Sequence, residues 1–122
     1  LFFLGLLFDE EAYTDIAEQM VLKMKRLIST DLEYTSYWGS VLMMMSNPMA
    51  EIAIIGADIH KLRTEFNAIF YPNKMICGTE SASELPLLKD RKNMNSNTIY
   101  VCYDKSCKLP VHTTEEALQL LV

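Results

Sequence analysis

Glu51-Ile52-Ala53-Ile54-Ile55-Gly56 is the stretch on which the fold turns: a short, β-branched apolar run closed by glycine. Asp58 follows, and then a stripe at Ile59, Leu62, Phe66, Ile69 and Phe70. β-Branched residues suit a pleated, packed surface, and three- and four-residue spacing marks one face of a helix, so the parse is strand then helix. Two further apolar runs lie downstream, Lys74-Met75-Ile76-Cys77-Gly78 and Thr98-Ile99-Tyr100-Val101-Cys102. Leu85-Pro86-Leu87-Leu88 reads as a short helical turn between them, and residues 113–121 as a closing helix capped by Thr113 or Thr114. Strands that are apolar throughout and joined by helical connections belong in a parallel sheet covered on its faces. Residues 49–122 are therefore expected to form a small α/β domain, a three-stranded, mainly parallel βαβαβα unit. Its strands fall at 51–56, 74–78 and 98–102, in right-handed crossover order.

Before Pro48 the pattern is helical. Tyr13, Ile16, Ala17, Met20, Val21, Met24, Leu27 and Ile28 recur at helical steps, with Glu10, Glu11, Asp15, Glu18, Lys23 and Lys25 mostly opposite. The acidic start and basic end of this segment also suit a helix dipole. After a break at Ser29-Thr30-Asp31, a second stripe runs through Tyr34, Tyr37, Trp38, Val41, Leu42 and Met45 until Asn47-Pro48 stops it. Helices at 1–7, 10–28 and 33–46 with short links imply antiparallel hairpins within residues 1–48. The apolar run Leu1 to Phe8 lacks a preceding basic region and an A-x-A site, and it is far shorter than the roughly 20 residues a membrane-spanning helix needs. It reads as a helix cut from a longer protein, and the chain is expected to self-associate through residues 1–45 to cover it.

The 122 residues are 50% hydrophobic and 22% charged, enough apolar matter for a folded core and too little polar bias for disorder. A net charge of -5 argues against nucleic acid as a partner, since phosphate binding draws on clustered Lys and Arg, and no membrane partner is expected. Three cysteines and eight methionines without a visible secretory signal fit a reducing compartment, so the cytoplasm is the expected location.

Chemistry-bearing patterns are sparse. Gly56-Ala57-Asp58 stands where phosphates bind in doubly wound folds, yet neither the three-glycine fingerprint nor a Gly-Lys-Ser/Thr loop is present, so it reads as a structural turn. His60 and His112 have no Cys or carboxylate at ligand spacing on the same element, and no G-x-S-x-G elbow occurs. No catalytic set, metal site or cofactor is therefore expected. Cys102 and Cys107, in a C-x4-C spacing, are the candidate redox pair. Structural cysteines in a packed turn, a reversible disulfide and a metal site are the three readings of that spacing. The apolar run Ile99–Val101 favours reduced, partly buried thiols, with Cys107 held in the turn. Tyr34, Tyr37 and Trp38 are either core or a candidate sugar-stacking surface.

Taken together, Leu85-Pro86-Leu87-Leu88-Lys89-Asp90-Arg91, Thr98-Ile99-Tyr100-Val101-Cys102 and Cys107-Lys108-Leu109-Pro110-Val111 carry a resemblance. The chain resembles the C-terminal end of the thioredoxin-domain-containing family that includes spermatogenesis-associated protein 20. Members look like LPLL-x-x-R, a variable loop, a strand ending YVC, four residues and C-x-x-P. The resemblance spans residues 37–122 and, more loosely, the earlier helices. It implies an N-terminal thioredoxin-like domain, then an α/α toroid similar to six-hairpin glycosidases, then a small α/β segment. This chain would supply the final toroid helices and the α/β segment. It would be a structural and interaction portion without a complete active site, its partners being the rest of the parent protein, whose own chemistry is redox- or carbohydrate-directed. The alternative is an accessory thiol-redox element using Cys102 and Cys107. No catalytic residue of the family carries over, because only Leu85 to Arg91, Cys102, Cys107 and Pro110 match its recognisable positions.

Overall fold

Three helices build the first of two units in the computed structural model, which describes residues 1–93 and 96–122 and divides at Leu1–Asn47 and Pro48–Val122. They are α1 (Phe2–Phe8), α2 (Glu11–Thr30) and α3 (Leu32–Met45), close to the expected ranges. Asp9 ends α1 in the left-handed conformation, which a short polar side chain tolerates, and its N–H returns to the Gly5 carbonyl. Gly5 is buried because α2 lies directly upon it: a Cβ there would sit 2.5 Å from Thr14 Cγ2. Asp31 alone links α2 to α3, and the buried Thr35 hydroxyl donates to its carbonyl at 2.9 Å. Residues equidistant from each link face one another, as antiparallel hairpins require.

Helix α2 runs through the expected break. The hydroxyls of Ser29 and Thr30 bond back to the Arg26 carbonyl and keep the last turn helical. The basic residues consequently precede the last turn, and the expected match of positive charge to the helix end is absent. The apolar stripe of α2 splits lengthwise. Ala17 and Val21 are buried, whereas Tyr13, Ile16, Met20 and Leu27 keep 40% to 47% of their surface exposed. On α3 the buried position is Thr35, one residue off the expected stripe, and Tyr34 and Tyr37 point outward at 83% and 79% exposure.

The second unit contains β1 (Ala50–Gly56), α4 (Ile59–Asn67), β2 (Lys74–Thr79), β3 (Asn97–Tyr103), β4 (Ser106–Cys107) and α5 (Thr114–Leu118). Among the described residues these strands form one mixed sheet in the order β2-β1-β3-β4. β1 and β2 are parallel, Ile52 lying beside Ile76, and α4 is their crossover. Lys74 fastens that crossover: its ammonium donates to the Phe66 and Ile69 carbonyls at 2.6 and 2.8 Å, at the end of α4. Phe70, expected on the helix, lies past its end and is exposed.

The mainly parallel βαβαβα arrangement is corrected at β3, which pairs antiparallel to β1 with Ile54 opposite Ile99 and Gly56 opposite Asn97. Starting a third parallel strand would mean returning to the opposite end of the sheet, about 20 Å away, the length of a six-residue strand. Leu85-Pro86-Leu87-Leu88 makes only a turn, closed by Leu88 and Lys89 N–H groups on the Leu85 carbonyl. The chain therefore stays at the end of the sheet where β1 and β2 finish and, on the far side of β1 from β2, enters β3 reversed. β4, absent from the expected set, follows a two-residue turn.

Alternation along the strands, combined with the register, sorts the sheet into two faces. Ile52, Ile54, Ile99 and Val101 share one face and form the core with Leu62 and Phe66 of α4 and Ala117 of α5. Ala53, Ile55, Thr98, Tyr100 and Cys102 share the other, so β1 is buried on both sides, as an all-apolar strand requires. Thr113 caps α5 through a reciprocal box with Glu116, the hydroxyl accepting from the Glu116 N–H and the carboxylate from the Thr113 N–H.

Candidate functional site

The second sheet face carries the site, which begins with the hairpin geometry of β3 and β4. Asp104 and Lys105 both have positive φ, 47° and 65°, the conformation of the tight two-residue turn whose twist matches its strands. Tyr103 then opposes Ser106, and Cys102 opposes Cys107. The Lys108 N–H donates to the Val101 carbonyl at 2.9 Å. Ladder bonds thus fall on the pair beside the cysteines, leaving Cys102 and Cys107 as a non-hydrogen-bonded pair, where strands approach most closely. Their Cα atoms are 3.9 Å apart and the two sulfurs are bonded as a disulfide. The expectation of two reduced thiols is corrected accordingly, and Cys107 lies on β4 rather than in the turn.

Arg91 covers the bond. The segment from Leu85 to Asn93 lies over this sheet face with Leu87 and Leu88 buried; Tyr100 donates its hydroxyl to the Lys92 carbonyl and Thr98 its own to Asn93 Oδ1. It delivers the Arg91 guanidinium onto the Tyr100 ring, 4.7 Å from the ring centre, in a cation–π contact. Nε donates to the Leu87 carbonyl at 3.3 Å. One terminal nitrogen donates to Cys107 Sγ at 2.8 Å and to Cys102 Sγ at 3.5 Å. Cys102 is wholly buried and Cys107 only half so, which makes Cys107 the sulfur that solvent and a reagent meet first. The third cysteine, Cys77, is a free thiol on β2, where burial and the Glu51 carboxylate push its pKa up.

Residues of the resemblance that stand far apart in sequence, Leu87, Arg91, Tyr100, Cys102 and Cys107, thus meet at one place. The reading from residues alone missed Arg91, although its place at the end of LPLL-x-x-R was the available signal.

The other candidates assemble less. Tyr37 and Trp38 line a cavity of about 240 Å3 within the helical unit, with Phe2, Met20, Val21 and Met44, but Tyr34 is not among its lining residues. Tyr34 and Tyr37, one turn apart on α3, are both strongly exposed. At the end of β1, Asp58 and Asn97 satisfy each other: the Asp58 N–H donates to Asn97 Oδ1 at 3.0 Å, and Asn97 Nδ2 donates to Asp58 Oδ2 at 2.8 Å. That exchange gives the Gly56-Ala57-Asp58 turn its structural role. His60 is exposed on α4, and His112 Nδ1 lies 2.9 Å from the Asn97 carbonyl. Among the described residues no three His, Cys, Asp or Glu side chains are grouped to hold a metal, and no helix is long and apolar enough to cross a membrane. No family model, curated protein or solved structure matches this chain.

Proposed function

We propose that this chain is a C-terminal structural and interaction portion of a larger protein of the family it resembles, with no complete active site of its own. The observation that carries this reading is the uncovered line on α2. Tyr13, Ile16, Met20 and Leu27 fall within one narrow arc of the helix and are left exposed by α1 and α3. Leu4 and Phe8 of α1 add further exposed apolar surface. Soluble monomers seldom present apolar patches beyond a few hundred Å2, and covering roughly 300 Å2 contributes about 7 kcal/mol before the cost of association. Further helices of a toroid supply such cover, and the α/β unit, buried on both sheet faces, forms the portion's folded end. The chemistry of the parent protein, redox- or carbohydrate-directed, resides in its other domains, and the setting is the cytoplasm, a reducing compartment that suits the free Cys77 thiol and the eight methionines.

Sedimentation velocity tests this. The chain by itself should self-associate through the α2 line, and Ile16→Glu with Met20→Glu should yield monomer of unchanged helicity. A wild-type chain that sediments as a clean monomer at high concentration would overturn the reading.

A further inference from the structure

We infer that the Cys102–Cys107 hairpin is a thiol–disulfide exchange site, with Cys107 as the sulfur attacked and Arg91 as the residue that positions and charges it for exchange. The ligand class is a thiolate reductant. Three observations separate this from a permanent staple. The bond closes a loop of only five residues' separation, so it removes little entropy from the unfolded chain, and the hairpin turn already brings the strands together. One sulfur is buried and the other half-exposed, the asymmetry that exchange uses to choose its direction. An arginine otherwise held by Tyr100 and the Leu87 carbonyl directs a terminal nitrogen at both sulfurs, where a neutral disulfide gains little but a thiolate gains a full countercharge.

A thiolate of the reductant attacks Cys107 Sγ, a new S–S bond forms, and the Cys102–Cys107 bond breaks with its electron pair on Cys102 Sγ, which takes a proton from water. A second thiolate of the reductant then attacks the reductant's own sulfur in the mixed disulfide. Cys107 leaves as a thiolate beside Arg91, and the reductant departs as its disulfide. Two electrons have passed from the reductant to the hairpin, with one proton, taken from water, on Cys102 and a negative charge on Cys107.

The charged neighbours sort the two products. Arg91 reaches both sulfurs from the segment over the sheet, being closer to Cys107. Glu51 of β1 stands opposite Cys102 on the same face and opposes negative charge there. Cys77 of β2 shares this face two residues further along and is held protonated by burial. Asp104 and Lys105 of the turn are exposed beyond the pair. Cys102 accordingly holds its proton, and Cys107 carries the charge.

The test takes the oxidised chain through glutathione buffers of graded ratio under native conditions, each sample then being quenched in acid, unfolded and alkylated for thiol counting by mass. The count should rise reversibly from one thiol, Cys77, to three, with the circular dichroism unchanged. A pair that opens only in denaturant overturns the proposal. Glutathione should remain on Cys107 in Cys102→Ser but fail to label Cys102 in Cys107→Ser, and equal labelling overturns the assignment of Cys107. Dithiothreitol should reduce the wild type without a lasting adduct, which distinguishes a dithiol from a monothiol reductant. With Cys102→Ser as background, Arg91→Ala should slow Cys107 alkylation at neutral pH about tenfold and move its pH midpoint upward, with Arg91→Lys restoring most of the rate. An unchanged pH profile removes Arg91 from the role. None of these readouts depends on sedimentation, so the exchange site and the docking reading fail separately.

Discussion

The helical unit and the α/β unit are both apolar in sequence, yet they dispose of that apolarity differently. In the α/β unit Ile52, Ala53, Ile54, Ile99, Val101 and Cys102 have no exposed surface at all. In the helical unit burial reaches Gly5, Ala17, Val21 and Thr35, while a row of large side chains stays outside. A sheet offers two faces and here both are covered, one by α4 and α5 and the other by the segment around Leu87 and Leu88. A helix in an open row of hairpins meets neighbours on part of its circumference, so a wide apolar stripe is only partly satisfied. What separates the units is the number of covering elements and not their hydrophobic content.

Matched truncations press that contrast hardest. Phe66→Ala removes a buried ring from the α/β core and should cost about 4 kcal/mol in chemical denaturation, while Met20→Ala on the exposed line should cost less than about 0.5 kcal/mol. Equal losses would mean that the α2 line is covered after all.

Glycine substitutions sharpen the same comparison and should have opposite signs. Gly56 has φ of 146°, and a Cβ would collide with the Ser96 carbonyl oxygen and Asn97, so Gly56→Ala should destabilise by about 2–3 kcal/mol. Gly39 lies within α3, where a new Cβ would meet Leu32 and Ile28 at 3.5 and 3.8 Å, ordinary contact distances. Gly39→Ala should therefore stabilise by up to about 1 kcal/mol, through helix propensity. Thermal unfolding of the two variants checks both signs.

The smallest effect is electrostatic and confined to the α/β unit. Hydrogen bonds from the His112 backbone, followed by those from Thr113, hold the Glu116 carboxyl below its ordinary value of 4.5. Its folded pKa lies below its unfolded one, so the stabilisation is present above pH 4.5 and is lost as acid brings the pH down through the lowered folded value. An acid titration of stability should show this loss in the wild type, and Glu116→Gln should flatten it. An identical acid slope in the variant would remove the capping box from the account.

Local periodicity made much of the fold legible. The stripe beginning at Tyr13 placed α2, Asp58 to Phe66 placed α4, and the β-branched runs placed β1 and β3, because each signal depends on neighbours within a few residues. Thr113 was legible as a cap for the same reason. The outward Tyr34 and Tyr37 were not, since aromatic residues at helical spacing read as a buried stripe and the few polar residues of α3, Glu33, Thr35, Ser36 and Ser40, mark its outer side only weakly. Cys102 and Cys107 stood out by residue type, but their union depends on Asp104 and Lys105 both adopting left-handed conformations, which Asp tolerates and Lys does not advertise.

The amino-acid order by itself determined where the main helices and strands other than β4 lie, where the chain changes from helical hairpins to an α/β unit, and which sulfurs deserved notice. Only the tertiary structure decided the direction of β3, the second cover of the sheet and the placing of Arg91 on the disulfide. Direction depends on which end of the sheet the chain has reached when a strand begins, and Arg91 meets Cys107 only because the segment from Leu85 to Asn93 folds across the sheet. Both are relations between residues distant in sequence, set by the closure of the core and left unspecified by local propensity.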